Sequence, residues 1–138
     1  MEVLKCSMTP EAISVLHTIG TNHSMPTANP WYDRYIFPNG IIPSAVDLTR
    51  AMDRLVLMND WHAFGTNYDL TLLAWNENFQ KSWSKLQEIN PALYTTRFKR
   101  MWEFYLLSIA AGFRTRTIDL WQLVITHPKR PVADWRQS

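Results

Sequence analysis

The chain has 138 residues, 46% of them hydrophobic and 13% aromatic, and a formal net charge of +2. That length makes one domain, small for a complete α/β enzyme, and the apolar content argues against disorder because burial offsets the entropy of ordering. The bases are dispersed, which does not demand nucleic acid but suits an anionic lipid surface; the single cysteine, Cys6, leaves no internal disulfide and no Cys-x-x-Cys motif, which fits a reducing, cytoplasmic setting.

Met1–Ile13 has no basic leader followed by an apolar run, so no signal peptide is expected. No stretch approaches the roughly 18 uninterrupted apolar residues of a membrane span. There is no internal repeat. Ile13–Ile19 (ISVLHTI) is short, apolar and β-branched between Pro10 and Gly20, and reads as a buried strand. Thr21–Pro30 reads as a polar loop, and Trp31–Pro38 (WYDRYIFP) as an aromatic, irregular segment closed by an Asn39-Gly40 turn. Pro43–Arg54 reads as a short helix capped by Ser44, with Val46, Leu48 and Met52 as a partial apolar side.

Leu55–Phe64 (LVLMNDWHAF) reads as a second strand ending at Gly65. A long helix is expected from about Asp69 to Ile89, with Leu72, Trp75, Phe79, Trp83 and Leu86 as its core stripe. Asn90-Pro91 ends it. The next helix spans Thr95–Arg114, with Phe98, Met101, Trp102, Tyr105, Ile109 and Phe113 on one side. Ile118–Ile125 (IDLWQLVI) is apolar on both alternating faces, as befits a central strand covered on both sides. From Pro128 the chain is polar, and a frayed tail is expected at 128–138.

The order is thus α/β, with about three strands and helices between them. An unpaired apolar edge on the first strand would invite pairing with another chain. The piece reads as the end of a larger sheet, and a homo-oligomer is expected.

Five segments, in order, resemble the C-terminal portion of bacterial cyclopropane-fatty-acyl-phospholipid synthases. They are VLHTIG at Val15–Gly20, WYDRYIFPNGIIPS at Trp31–Ser44, NDWHAFGTNYDLTLLAW at Asn59–Trp75, RFKRMWEFYL at Arg97–Leu106 and AGFRTRTIDLWQLVI at Ala111–Ile125. The likeness covers residues 13 to 127 and leaves 1–12 as a poorly matching leader. It implies one partial domain over 1–138, the C-terminal part of a class I methyltransferase (Rossmann-like) sheet. By that likeness Ile13–Ile19, Leu55–Phe64 and Ile118–Ile125 correspond to the fifth, sixth and seventh strands. The last is antiparallel and inserted between the other two.

The reaction implied is transfer of a methylene from S-adenosylmethionine to a cis double bond of a phospholipid acyl chain at the membrane surface. That would place the protein in the cytoplasm, peripherally at the inner membrane face. Such chemistry passes through a carbocation, so the site must exclude water, hold a base close by and offer aromatic faces to positive charge. The resemblance assigns bicarbonate binding to His17, the backbone of Ile19, and Tyr68, with His17 and Tyr68 as catalytic residues. It suggests Trp31, Tyr35 and Phe37 as the lining of the acyl channel. Without the motifs, His17 would read as a structural histidine and Tyr68 as a packing residue just before a helix. His23, His62 and His127 have no metal-ligand spacing, so no metal is expected. Arg97, Lys99, Arg100, Arg114 and Arg116 read either as lipid-phosphate contacts or as a solvated face.

The match fails at the methyl donor. A class I methyltransferase holds it on a glycine-rich turn and an acidic residue. Here the four glycines, Gly20, Gly40, Gly65 and Gly112, are scattered singly. The family's catalytic cysteine and bicarbonate-binding glutamate would lie before Met1. The chain is therefore expected to be inactive alone and to need the N-terminal half of a split enzyme. The alternative is a non-catalytic remnant or a lipid-binding, self-associating module.

Overall fold

The structure is a computed structural model and describes residues 1–24 and 29–130. In chain order the elements are α1 (Glu2–Ser7), β1 (Ile13–Gly20), α2 (Pro30–Tyr35), α3 (Ala45–Met52), β2 (Leu57–Ala63), α4 (Gly65–Ile89), α5 (Thr96–Arg114) and β3 (Asp119–Thr126). The strand order is β1-β3-β2, with β3 antiparallel to both neighbours. The last strand therefore lies between the other two, as its doubly apolar sequence requires. Trp121, Leu123 and Ile125 pack on one face with Leu48, Met52 and Val56. On the other face Leu120 joins Leu72, Leu106, Ala110, Phe113 and Ile118. Burying each of these large side chains contributes about 1.5–3 kcal/mol.

β1 bonds only to β3, so its outer edge has no strand partner among the described residues. The strand expected to be buried is in fact exposed along one face: Ile13 is 47% and Val15 61% exposed, because no further layer covers that side among the described residues.

The α3 cap forms as read. The Ser44 hydroxyl accepts the Asp47 amide at 3.1 Å, and the Asp47 carboxylate accepts the Ser44 amide at 2.9 Å and its hydroxyl at 2.6 Å. These bonds, the hydroxyl's first, hold the Asp47 carboxyl below its ordinary value. The carboxylate's contribution is therefore present above the ordinary carboxylate range and disappears as the pH falls through the lowered folded-state value. Ser44→Ala should cost about 1 kcal/mol near neutral pH and less in acid, measured by urea denaturation at each pH.

Several expectations need correcting. Trp31–Tyr35 is helical, because the Asn29 side chain accepts the Trp31 amide and Pro30 occupies the first turn. Val46 is half exposed, and Val56 takes its expected place in the core beside Leu48 and Met52. The second strand starts at Leu57, after a turn in which Arg54 is left-handed (φ 57°), and carries an irregularity between Met58 and Asp60. The long helix starts at Gly65, four residues before Asp69. In its stripe, Leu72 is buried but Trp75 is 46% exposed. Part of Thr21–Pro30, residues 25–28, and most of the expected tail, residues 131–138, lie outside the described residues.

Candidate functional site

The site lies where β1 and β2 end and β3 begins, since Gly20 pairs with Asp119 and Ala63 with Trp121. Two local devices shape this end. Gly20 meets the Trp121 indole so closely that a Cβ would lie 2.0 Å from its Cζ3. The Asp119 carboxylate accepts the amides of Gly65 at 2.7 Å and Leu120 at 2.8 Å. α4 lacks a side-chain cap of its own at Phe64. A carboxylate 54 residues away in sequence takes that role, which is why the helix begins earlier than its own sequence suggests.

Tyr68 accordingly sits in the first turn of α4, not before the helix. Its ring packs 5.1 Å from Phe113 and 5.8 Å from Trp75. Ile19, Phe64 and Tyr68 all pack on the buried Leu72–Phe113 cluster. His17 stands two residues back along β1, on the same face as Ile19. It is exposed, and its Nδ1 lies 3.2 Å from the Gln122 side-chain amide nitrogen. Phe64 links it to the cluster, with ring centroids 6.0 Å apart. His62 faces the same Phe64 at 5.0 Å, and Gln122 lies between the two histidines in register. Among the described residues no group of three or more His, Cys, Asp or Glu gathers as for a metal.

Asp69, next to Tyr68, is buried and paired. The Arg114 guanidinium donates to both of its oxygens, at 2.8 and 2.9 Å, and joins the N-terminal end of α4 to the last turn of α5. The bonds from Asp69 raise the Arg114 value further. Arg114 is thereby engaged within the fold.

Trp31, Tyr35 and Phe37 cluster against α5. Trp31 lies 4.5 Å from Phe104 and 5.6 Å from Tyr35, and Phe37 lies 5.8 Å from Tyr105. Tyr32 bonds to Ser108 at 2.8 Å. Two cavities open here and share the Tyr35 wall. One, of ≈ 410 Å³, is lined by Phe37, Trp75, Trp102, Tyr105 and Leu106 among others. The other, of ≈ 320 Å³, is lined by Trp31, Arg97, Arg100, Met101 and Phe104. Burial pushes the Tyr105 phenol up, and the nearby Tyr68 and Tyr32 phenols add to the shift. Three phenols thus converge beneath the aromatic segment.

The sequence reading missed Trp75 and Tyr105 as cavity-lining residues, because helical spacing places both in core stripes. The signal available was that Trp and Tyr carry polar groups that rarely go into a dry core unsatisfied. His17 and the aromatic trio Trp31, Tyr35 and Phe37 are not brought into direct contact.

The four glycines offer no donor cradle. A Cβ on Gly20, Gly40, Gly65 or Gly112 would meet Trp121, Phe37, Asp119 or Ile118, so each faces packed protein atoms, and none has a positive φ. Among the described residues the glycines therefore supply no turn of the kind on which a backbone could approach S-adenosylmethionine.

The sheet, with its reversed strand inserted between two parallel ones, is the end of a class I methyltransferase fold. The cyclopropane synthase MmaA2 from Mycobacterium tuberculosis superposes with a TM-score of 0.77 at 20% identity, covering 89% of this chain and 47% of that one. The mycolic acid cyclopropane synthase CmaA1, complexed with SAH and CTAB, gives 0.71 at 20% identity, covering 83% and 44%. The family model for mycolic acid cyclopropane synthetase matches residues 1–123. The chain belongs to that family of S-adenosylmethionine-dependent methyltransferases. It is 41% identical over 124 residues to the cyclopropane-fatty-acyl-phospholipid synthase of Escherichia coli K12, covering 90% of this chain. The tuberculostearic acid methyltransferase UfaA1 of Mycobacterium tuberculosis is 30% identical over 126 residues, covering 88% of this chain. The chain spans 31% of the length of the E. coli relative and 28% of UfaA1. Among the described residues no helix is long and apolar enough to cross a membrane.

Proposed function

We propose that this chain forms the acyl-facing, C-terminal part of the catalytic domain of a cyclopropane-fatty-acyl-phospholipid synthase-like enzyme. The enzyme transfers a methylene from S-adenosylmethionine to a cis double bond of a phospholipid acyl chain. The observation that carries this is the ≈ 410 Å³ aromatic cavity lined by Tyr35, Phe37, Trp75, Trp102 and Tyr105. Such a wall excludes water from the reacting chain and turns aromatic faces toward developing positive charge. Tyr35 and Phe37 line the channel for the acyl chain, with Trp31 behind them.

His17, the Ile19 backbone and Tyr68 are the groups proposed to hold bicarbonate. The donor set suits an oxyanion: an imidazole N–H and a phenol O–H. Bicarbonate, when bound, supplies a base beside the acyl chain. Gln122 lies against His17; Phe113 and Trp75 hold the Tyr68 ring. The donor is held by residues outside this chain, in strands that continue the sheet from the free edge of β1. The partner would then be the rest of the catalytic domain, and the setting a membrane surface reached peripherally from the cytoplasm. The free edge and the flanking Val15 and Ile13 also favour self-association in its absence.

The test is a chimera in which this chain replaces the aligned segment of the E. coli synthase, with cyclopropane fatty acids measured by gas chromatography. The chimera should be active. Tyr68→Phe and His17→Ala should each reduce the rate by about ten- to a hundredfold without lowering the melting temperature. If both variants keep full activity, the assigned roles are wrong.

A further inference from the structure

The smaller cavity differs from its neighbour in one respect: it is charged. Arg97 and Arg100 line it together with Met101, Phe104, Trp31 and Tyr35. The spacing accounts for the arrangement, because residues 97, 100, 101 and 104 share one face of α5. Lys99 points elsewhere, toward Glu103 at 3.9 Å and over the Trp83 ring at 5.6 Å. Neither Arg97 nor Arg100 has an ion-pair partner among the described residues, and the first turn of α5 carries no acid. Two guanidinium groups one turn apart, beside an apolar wall, make a fork suited to a phosphate that is attached to something apolar.

What lies beyond Tyr35 indicates the attachment. The neighbouring cavity is lined only by aromatic and aliphatic side chains and carries no charged group, which suits an acyl chain. We propose that the groove between α2 and the start of α5 binds the phosphate headgroup of an anionic phospholipid. Arg97 and Arg100 hold the phosphate, and the acyl chain passes over Tyr35 into the apolar cavity. This rests on the acyl-lipid reading above and adds to it a headgroup subsite and a direction for the chain. The headgroup contact fixes how far along the acyl chain the site can reach.

The test compares monolauroyl phosphatidylglycerol with monolauroyl glycerol, both below their aggregation concentrations, in equilibrium binding to the 138-residue chain. The anionic lipid should bind about tenfold more tightly. Arg97→Gln/Arg100→Gln should abolish that advantage and leave the neutral lipid's affinity unchanged. Lys81→Gln/Lys85→Gln, which removes the same charge on α4, should keep it. Because both arginines are exposed, circular dichroism melts of the double variant should match the parent. Equal affinity for the two lipids, or an advantage that survives in Arg97→Gln/Arg100→Gln, overturns the headgroup assignment alone. Inorganic phosphate binding as tightly as the anionic lipid, with the acyl chain adding nothing, assigns the groove to free phosphate and overturns it too. Binding of neither lipid counts against the acyl-lipid reading itself.

Discussion

Phe113→Ala should lower the free energy of unfolding by about 3–5 kcal/mol, the largest loss expected from a single side chain in this fold. Phe113 is 0% exposed and sits where α4, α5 and β3 meet, among Leu72, Leu106, Ala110, Ile118 and Leu120. The side chain has no route to solvent, so truncation leaves a cavity that the helix hairpin closes only in part. The effect is local to the site as well, since the Tyr68 ring rests on Phe113 at 5.1 Å. In the E. coli chimera the variant should therefore lose activity at temperatures where it is still folded. Leu70→Ala, at a side chain 68% exposed on α4, should change stability by about 0.5 kcal/mol or less. Urea denaturation monitored by tryptophan fluorescence compares the two. If they cost the same, the Phe113 cluster is not the core on which Tyr68 rests.

Gly20→Ala is the second large effect, and its sign depends on two opposed terms. Alanine restricts the unfolded chain, which alone would stabilise by about 0.4–1 kcal/mol. Against that, the new Cβ would lie 2.0 Å from Trp121 Cζ3 and 2.2 Å from Cε3. Trp121 is 2% exposed and pinned edge-on by Trp61 at 4.8 Å, so the indole cannot swing away cheaply. Overpacking of this kind costs about 1–3 kcal/mol, so the net change should be destabilising. The cause is space and not backbone freedom, because no glycine here has a positive φ. A double-mutant cycle separates the two. Trp121→Leu should be costly alone but should make Gly20→Ala nearly neutral in its background. Strictly additive losses would contradict the packing account.

Much of this architecture is legible in the sequence because it rests on period and punctuation. The doubly apolar run at Ile118–Ile125 could be stable only between two strands and two helix layers, and β3 has that place. Ser44, three residues before Asp47, is a cap that needs nothing distant, and it forms. The failures occur where the deciding group lies far along the chain. The start of α4 is set by Asp119 on β3, and no window around Phe64 contains that information. α2 is a different case, since Asn29-Pro30 is a local start signal that the aromatic crowding of Trp31–Pro38 obscures. Leu72 and Trp75 share a stripe, yet one is buried and the other lines a cavity. Periodicity identifies the face of a helix but not whether protein or an opening lies against it.

The candidate site is legible in the same uneven way. The VLHTIG motif lies on β1, which carries His17 and Ile19, and Ile19 and Tyr68 pack on the same buried cluster. Tyr105 became visible only when α5 was folded against α2, because convergence of Tyr32, Tyr68 and Tyr105 joins residues more than thirty positions apart. The charge at Arg97 and Arg100 is plain in sequence, but the groove beside it is a tertiary product.

The central claim is that this chain carries the acyl-facing wall while the methyl donor is held by residues outside it. Calorimetric titration with S-adenosylhomocysteine tests it most directly, using the 138-residue chain alone and the E. coli chimera side by side. The chain alone should give no binding heat, and the chimera should bind one equivalent per catalytic domain. Stoichiometric binding by the chain alone would show that these residues build a donor site without a glycine cradle, and would contradict the account.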